Sequence, residues 1–162
     1  MTSDEITIHR GLTGVYFDRS ATTFIDGKEG VLEYRGYNIN DLAEHSTFEE
    51  TGYLLIHGKL PTQAELNEFD AELKAARELP EQIFDVIDLV KDSHPMDALR
   101  TAVSALASFD EDRNDNSAEA TIRKGNRLTS QVPAIVMAHH NIRQGKDPIK
   151  PSTTLNHAGN FL

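Results

Sequence analysis

β-Branched and aromatic residues gather first in two short runs, Thr22–Ile25 and Val31–Tyr34, divided by Asp26-Gly27-Lys28-Glu29-Gly30. Asp-Gly plus a second glycine supplies the positive-φ positions of a five-residue loop, so this pattern predicts a β-hairpin. One hairpin is marginal in water and needs a helical support. Gly36 is expected to end the second strand, and Asn38 or Asn40 to cap a short helix reaching His45. Ser46 and Thr47 each precede a glutamate by three residues (Glu49 and Glu50), the spacing of a capping box. The helix they open carries Phe48, Tyr53, Leu54, Leu55 and Ile56, apolar on more than one side, as in a buried helix. Gly58 and Pro61 close it.

Helix follows helix from there. Thr62 with Glu65 repeats the capping spacing, and Leu66, Phe69, Leu73 and Ala76 form one stripe of a 3.6-residue period. Leu79-Pro80 breaks that helix and places Pro80 in the first turn of the next, which carries Ile83, Val86, Ile87 and Val90. His94-Pro95 resets the chain again. Met96, Leu99, Val103 and Leu106 then make a stripe flanked by Ala98, Ala102, Ala105 and Ala107, small residues that permit a close helix neighbour. Asp110 to Asn116 form a polar, acidic loop. A long helical pattern starts at Ser117, with Ile122, Val132, Ile135, Val136 and Ile142 as its apolar members, and Pro133 predicts a kink or a new start inside it. Gly145 ends it, residues 146–151 form a linker with two prolines, and Thr153 or Thr154 is expected to begin another helix. That helix ends on Phe161 and Leu162 without a cap or polar tail, so the domain is expected to be incomplete. The fold class is mainly α with a small N-terminal β-hairpin, preceded by a loosely ordered arm over residues 1–14.

Charge narrows the possible partners. A net charge of −10 over 162 residues argues against nonspecific binding to nucleic acid or to anionic membrane, because phosphate repels it. No cysteine is present, which excludes disulfides, thiolate metal sites and thiol nucleophiles. The first residues lack a signal-peptide layout and no apolar run approaches membrane-spanning length, so the cytoplasm is the default location.

Seven histidines invite a search for chemistry. His139 and His140 are adjacent, so on a helix they diverge and cannot chelate one ion together. His94 precedes a proline at a helix start, where its ring suits an N-cap. His57 sits in a last turn, where a cation suits the dipole. His157 has no partner at i+4. No HExxH, G-x-S-x-G or P-loop pattern occurs. Gly11-Leu12-Thr13-Gly14 is too short for a phosphate cradle, and helix capping explains both Glu49 and Glu50. By this reading there are no catalytic, cofactor-binding or metal-ligating residues among the 162.

The order of motifs adds an identity that chemistry does not. YRGY-x-I-x-DLAE from Tyr34, FEE-x-x-YLL-x-HG from Phe48 and LPT-x-x-EL from Leu60 resemble the N-terminal region of citrate synthases. SHPMDALRTAVSAL from Ser93 is similar to that family's His-Pro-Met helix. GKDPIKPSTTLNHAGNFL from Gly145 is similar to the loop and helix before its first catalytic histidine. The likeness covers nearly the whole chain from Gly11. It implies that residues 15–162 are the N-terminal portion of a large helical domain, truncated before the catalytic residues. In the family these are three histidines and a distal aspartate, none with a counterpart here, and the small domain that closes over acetyl-CoA is missing. The implied activity of the complete enzyme is acyl transfer from acetyl-CoA to oxaloacetate, giving citrate and CoA at the entry to the tricarboxylic acid cycle. It needs no metal or cofactor and is carried out by a homodimer. The fragment itself is expected to be inactive. Two alternatives stand beside this: a 2-methylcitrate synthase fragment acting on propionyl-CoA, or a short non-catalytic helical module that binds a full-length subunit. Residues Ala21–Asp26 look closer to citrate-forming relatives, and the Met96, Leu99, Val103, Leu106 stripe is the candidate for packing near a dimer interface.

Overall fold

The computed structural model describes residues 8–16 and 18–162. Residues 1–7 of the expected arm lie outside that range, and Arg10–Leu12 form a single 3-10 turn. The hairpin is present as β1 (Thr23–Asp26) and β2 (Val31–Tyr34), antiparallel with Phe24 opposite Glu33 and Ile25 opposite Leu32. The Asp26 carboxylate accepts from the backbone N–H of Lys28 and of Glu29, which fixes the loop.

Gly36 does not end the sheet. Arg35 and Gly36, at φ 51° and 86°, make a two-residue turn into a third strand, β3 (Tyr37–Asn38), with Tyr34 opposite Tyr37. Positive φ at both central residues suits the right-handed twist of the flanking strands, yet it strains an arginine. The side chain supplies the compensation. Arg35 Nε and Nη2 donate to the Leu55 carbonyl at 3.3 and 2.8 Å, and Leu55 lies in the last turn of the next-but-one helix, where carbonyls lack intrahelical partners. One guanidinium therefore ties the hairpin to that helix.

Six further helices and a terminal turn of helix follow the caps. Asn38 caps α1 (Ile39–His45) by accepting from Asn40 N–H. Thr47 and Glu50 form a reciprocal capping box on α2 (Phe48–His57), and Gly58, at φ 80°, terminates it. Thr62 and Glu65 do the same for α3 (Gln63–Ala75). Then come α4 (Glu81–Leu89), α5 (Pro95–Leu106), α6 (Ala118–Ile142) and the five-residue α7 (His157–Phe161). Pro80 occupies the N-cap of α4, one residue before the first turn expected for it. His94 Nδ1 accepts from Met96 N–H and Pro95 is the first helical residue of α5, as expected.

The main core lies where α4 and α5 pack on α6. It contains Leu79, Ile83, Ile87, Ala102, Leu106, Ile135 and Ala138. A smaller cluster of Tyr53, Phe69 and Leu73 joins α2 to α3, with the His57 ring tilted against Tyr53 at 4.1 Å. On α5 the buried line is Ala98, Ala102 and Leu106, so the alanines face inward, while Met96 of the expected stripe is 63% exposed. Small side chains let the α5 backbone approach α6 closely, and that approach rotates the larger residues to the flank.

Two other expectations concern helix bounds. α6 runs as one 25-residue helix through Pro133, so of the kink or new start expected there the new start does not occur. Pro133 removes one backbone donor at a cost of about 3 kcal/mol. Burying residues on both sides of it, among them Ser130, Ile135 and Ala138, offsets that cost; full burial of an isoleucine alone contributes about 1.5–3 kcal/mol. Ile122 and Val136, apolar members of the pattern, are partly exposed, while Ala120, Asn126 and Ser130 of the same helix are buried. α7 starts at His157 and not at Thr153 or Thr154, because Ser152 Oγ accepts from the N–H of both Thr154 and Leu155 and makes a turn there.

Two predictions follow from caps and core. Ala102→Leu overpacks the α5–α6 contact and should lower stability by about 1–3 kcal/mol, whereas Met96→Ala should change it by less than about 0.5 kcal/mol; urea unfolding midpoints decide between them. The Lys59 ammonium, followed by the Thr62 N–H, holds the Glu65 carboxyl at about 2, below its ordinary 4.5. The folded state then binds fewer protons than the unfolded one. The stabilisation from this cap is complete above pH 4.5 and is lost as pH falls toward 2. Glu65→Gln should flatten that part of the acid limb, measured as the urea midpoint against pH.

Candidate functional site

The densest meeting of buried polar groups is where the first turn of α2 and the end of α3 grip the segment around α7. Glu49 is 5% exposed, and its Oε1 accepts the backbone N–H of His157 at 2.6 Å, across 108 residues of chain. It does not cap α2; Glu50 alone completes the capping box, and Glu49, one position earlier, lies 100° around the helix and is buried. The His157 ring stacks on Phe48, with centroids 4.1 Å apart and planes 5° from parallel. From the other side Arg77, 2% exposed, donates from Nη1 to the carbonyls of Ser152 at 2.7 Å and Leu155 at 2.8 Å. Ser152 N–H donates to Asn160 Oδ1 at 2.7 Å, and Asn156 Oδ1 accepts from Gly159 N–H.

Burial pushes the His157 imidazole below its ordinary value; the Glu49 carboxylate opposes this and the Arg77 guanidinium adds to it. The neutral ring is therefore favoured in the fold. These bonds hold backbone. Glu49 Oε1, Arg77 Nη1 and Asn160 Oδ1 all engage the chain's own main-chain groups, and none forms a nucleophile–base pair.

The adjacent histidines of α6 diverge. His139 is buried with Nε2 3.2 Å from the Lys91 carbonyl, whereas His140 points away to Gln144 at 3.0 Å. Among the described residues no group of three or more His, Asp or Glu side chains converges as metal ligands. The acidic loop is clasped to α6 by two guanidinium forks. Arg123 Nε and Nη2 bind Asp112 at 3.0 and 2.6 Å, and Arg127 Nε and Nη2 bind Asp110 at 3.1 and 2.8 Å. Arg123 and then Arg127 hold the Asp112 carboxyl far below the usual carboxylate range. A cleft of about 410 Å³ opens beside this clasp over Val103, Leu106 and Leu128, with Lys124 and Gln131 at its rim.

Sequence reasoning missed Arg77 and gave Glu49 the wrong role. One signal for Arg77 exists: Leu73 and Arg77 are four residues apart, so the buried stripe of α3 continues onto an arginine. Nothing local points Glu49 toward a residue 108 positions away.

Fold and site together define a mainly α scaffold whose buried charges fasten its own segments. A sequence-family model described as citrate synthase, C-terminal domain, matches residues 11–162. The citrate synthase of Deinococcus radiodurans is 46% identical over 156 residues, covering 96% of this chain and 41% of that protein. That of Synechocystis is 42% identical over 163 residues, covering the whole of this chain and again 41% of the relative. The crystal structure of citrate synthase from Pyrobaculum aerophilum superposes with a TM-score of 0.90 at 35% identity, over 99% of this chain and 42% of that one. The chain belongs to the citrate synthase family. It spans about 41% of the length of the curated relatives it matches.

His157 tests the site's electrostatics. Its ring should titrate below the ordinary 6.5, so any stability tied to the neutral ring is lost as pH falls through that value. Glu49→Gln should lower the titration further and Arg77→Met should raise it, read from ring-proton NMR shifts.

Proposed function

We propose that this chain is part of the large helical domain of a citrate synthase, with residues 15–162 inside that domain and residues 1–14 as its arm. The observation that carries the reading is the agreement in sequence with citrate synthases from Gly11 to Leu162, at 42–46% identity over nearly the whole chain. The complete enzyme takes acetyl-CoA and oxaloacetate as small-molecule substrates. A carboxylate removes a proton alpha to the thioester, and the carbanion carbon bonds to the ketone carbon of oxaloacetate. A histidine hydrogen bond stabilises the developing enolate oxygen, and arginines hold the dicarboxylate. Water then hydrolyses the thioester to give citrate and free CoA. No residue of this chain takes any of those roles in the proposal, and no metal or other cofactor enters it. The self-directed bonding of Glu49, Arg77 and Asn160 supports that assignment, since those groups are already engaged by backbone.

The same reading makes the complete enzyme a cytoplasmic homodimer. Exposed Met96 and half-buried Leu99 and Val103 lie along one side of α5 and suit a face near the subunit interface. The relatives from Deinococcus radiodurans and Synechocystis are citrate synthases, which favours acetyl-CoA over propionyl-CoA. Among the described residues no helix is long and apolar enough to cross a membrane.

CoA release from acetyl-CoA and oxaloacetate tests the proposal. The 162-residue chain alone should release none above background, while the complete enzyme should turn over acetyl-CoA faster than propionyl-CoA. Release by the chain alone would place catalytic residues within it. A preference for propionyl-CoA would replace citrate by 2-methylcitrate as the product.

A further inference from the structure

We infer that Arg77 and Glu49 are positioning residues: together they fix the path of the Ser152–Phe161 segment and so the direction in which α7 carries the chain. The catalytic consequence of this rests on the function proposed above; the structural part does not.

Arg77 grips a turn that is already formed. Ser152 Oγ accepts two backbone N–H groups within that turn, and Ser152 N–H is tied forward to Asn160 in α7. One guanidinium nitrogen bonded to both the Ser152 and Leu155 carbonyls therefore holds the turn as a unit. Glu49 grips the next point along the chain, the amide of His157, and Phe48 lies flat beneath the same residue's ring. The two grips come from different elements and fall on opposite sides of Asn156. Two anchors this close in sequence set a direction, where one would set only a position.

Arg77 is a poor choice for stability alone. Its Nε and Nη2 are buried without a hydrogen-bond partner among the described residues. In Arg123 and Arg127 the same pair of nitrogens closes on a carboxylate. Leaving polar groups buried and unpaired is destabilising, and a methionine of similar length would remove that penalty. What methionine cannot do is donate to two carbonyls. The arginine thus serves the turn, against its own burial cost.

The test uses the complete enzyme, with hydrogen exchange of peptides spanning 152–162 and steady-state kinetics read on the same samples. In Arg77→Met, exchange across 152–161 should rise about tenfold while the α4–α6 core keeps its protection. The kcat should fall by about tenfold with KM for both substrates within about twofold, since binding is not what is lost. Arg77→Lys, which restores a donor to the carbonyls, should recover part of kcat. If Arg77→Met keeps both its local protection and its kcat, the inference is overturned. It is equally overturned if protection falls uniformly through α4, α5 and α6, which marks a general structural role. Should Arg77→Met fail to fold, Glu49→Ala carries the test, because it leaves the His157 N–H without its acceptor and should loosen the same segment alone. A wild-type enzyme that releases no CoA would sink the functional reading, while the exchange data would still decide the clamp.

Discussion

The close approach of α5 to α6 is the constraint on which the rest of the molecule depends. Ala98 and Ala102 are almost wholly buried, and their lack of bulk brings two helix backbones together. α4 then fills the groove with Ile83 and Ile87, both fully buried. Overlap of these three helices supplies the larger apolar cluster among the described residues, and α2 with α3 adds a smaller one. Pro133 illustrates the hierarchy. A residue that would break an isolated helix is carried inside a continuous one, because both flanking turns are packed.

Elements that do not reach that core are attached by polar side chains, bound to backbone or, in the acidic loop, to carboxylates. Arg35 fastens the three-stranded sheet to the end of α2, Arg77 and Glu49 fasten the segment at α7, and two Arg–Asp forks fasten the acidic loop. The attachments to backbone share a logic. Helix ends and turns have main-chain groups left over, and a long side chain from a distant element can satisfy them. Exposed apolar residues remain on the periphery, including Phe24, Ile25, Leu89 and Ile149, so burial alone does not hold it.

For a family whose chemistry is proposed to lie outside these 162 residues, the scaffold's task is geometry. A helical domain can direct a reaction by setting where its segments leave it. Buried groups that bond main chain, in place of ligand or metal, fit that task.

Much of the fold was legible without coordinates. The hairpin loop, the capping boxes at Thr47 and Thr62, the His94 cap and the helix stop at Gly58 are local events, decided within four residues by backbone geometry and hydrogen bonding. Local rules could not decide which face of a helix turns inward when two faces compete, so α5 presents its alanines and α6 its polar Asn126 and Ser130. Nor could they see that Arg35 takes a strained turn because Leu55 offers a carbonyl, or that Glu49 waits for an amide 108 residues later. Sequence by itself determined the helices, most of their ends and the family. Tertiary structure decided the buried faces, the third strand and the grip on α7, because each depends on a partner that sequence distance hides.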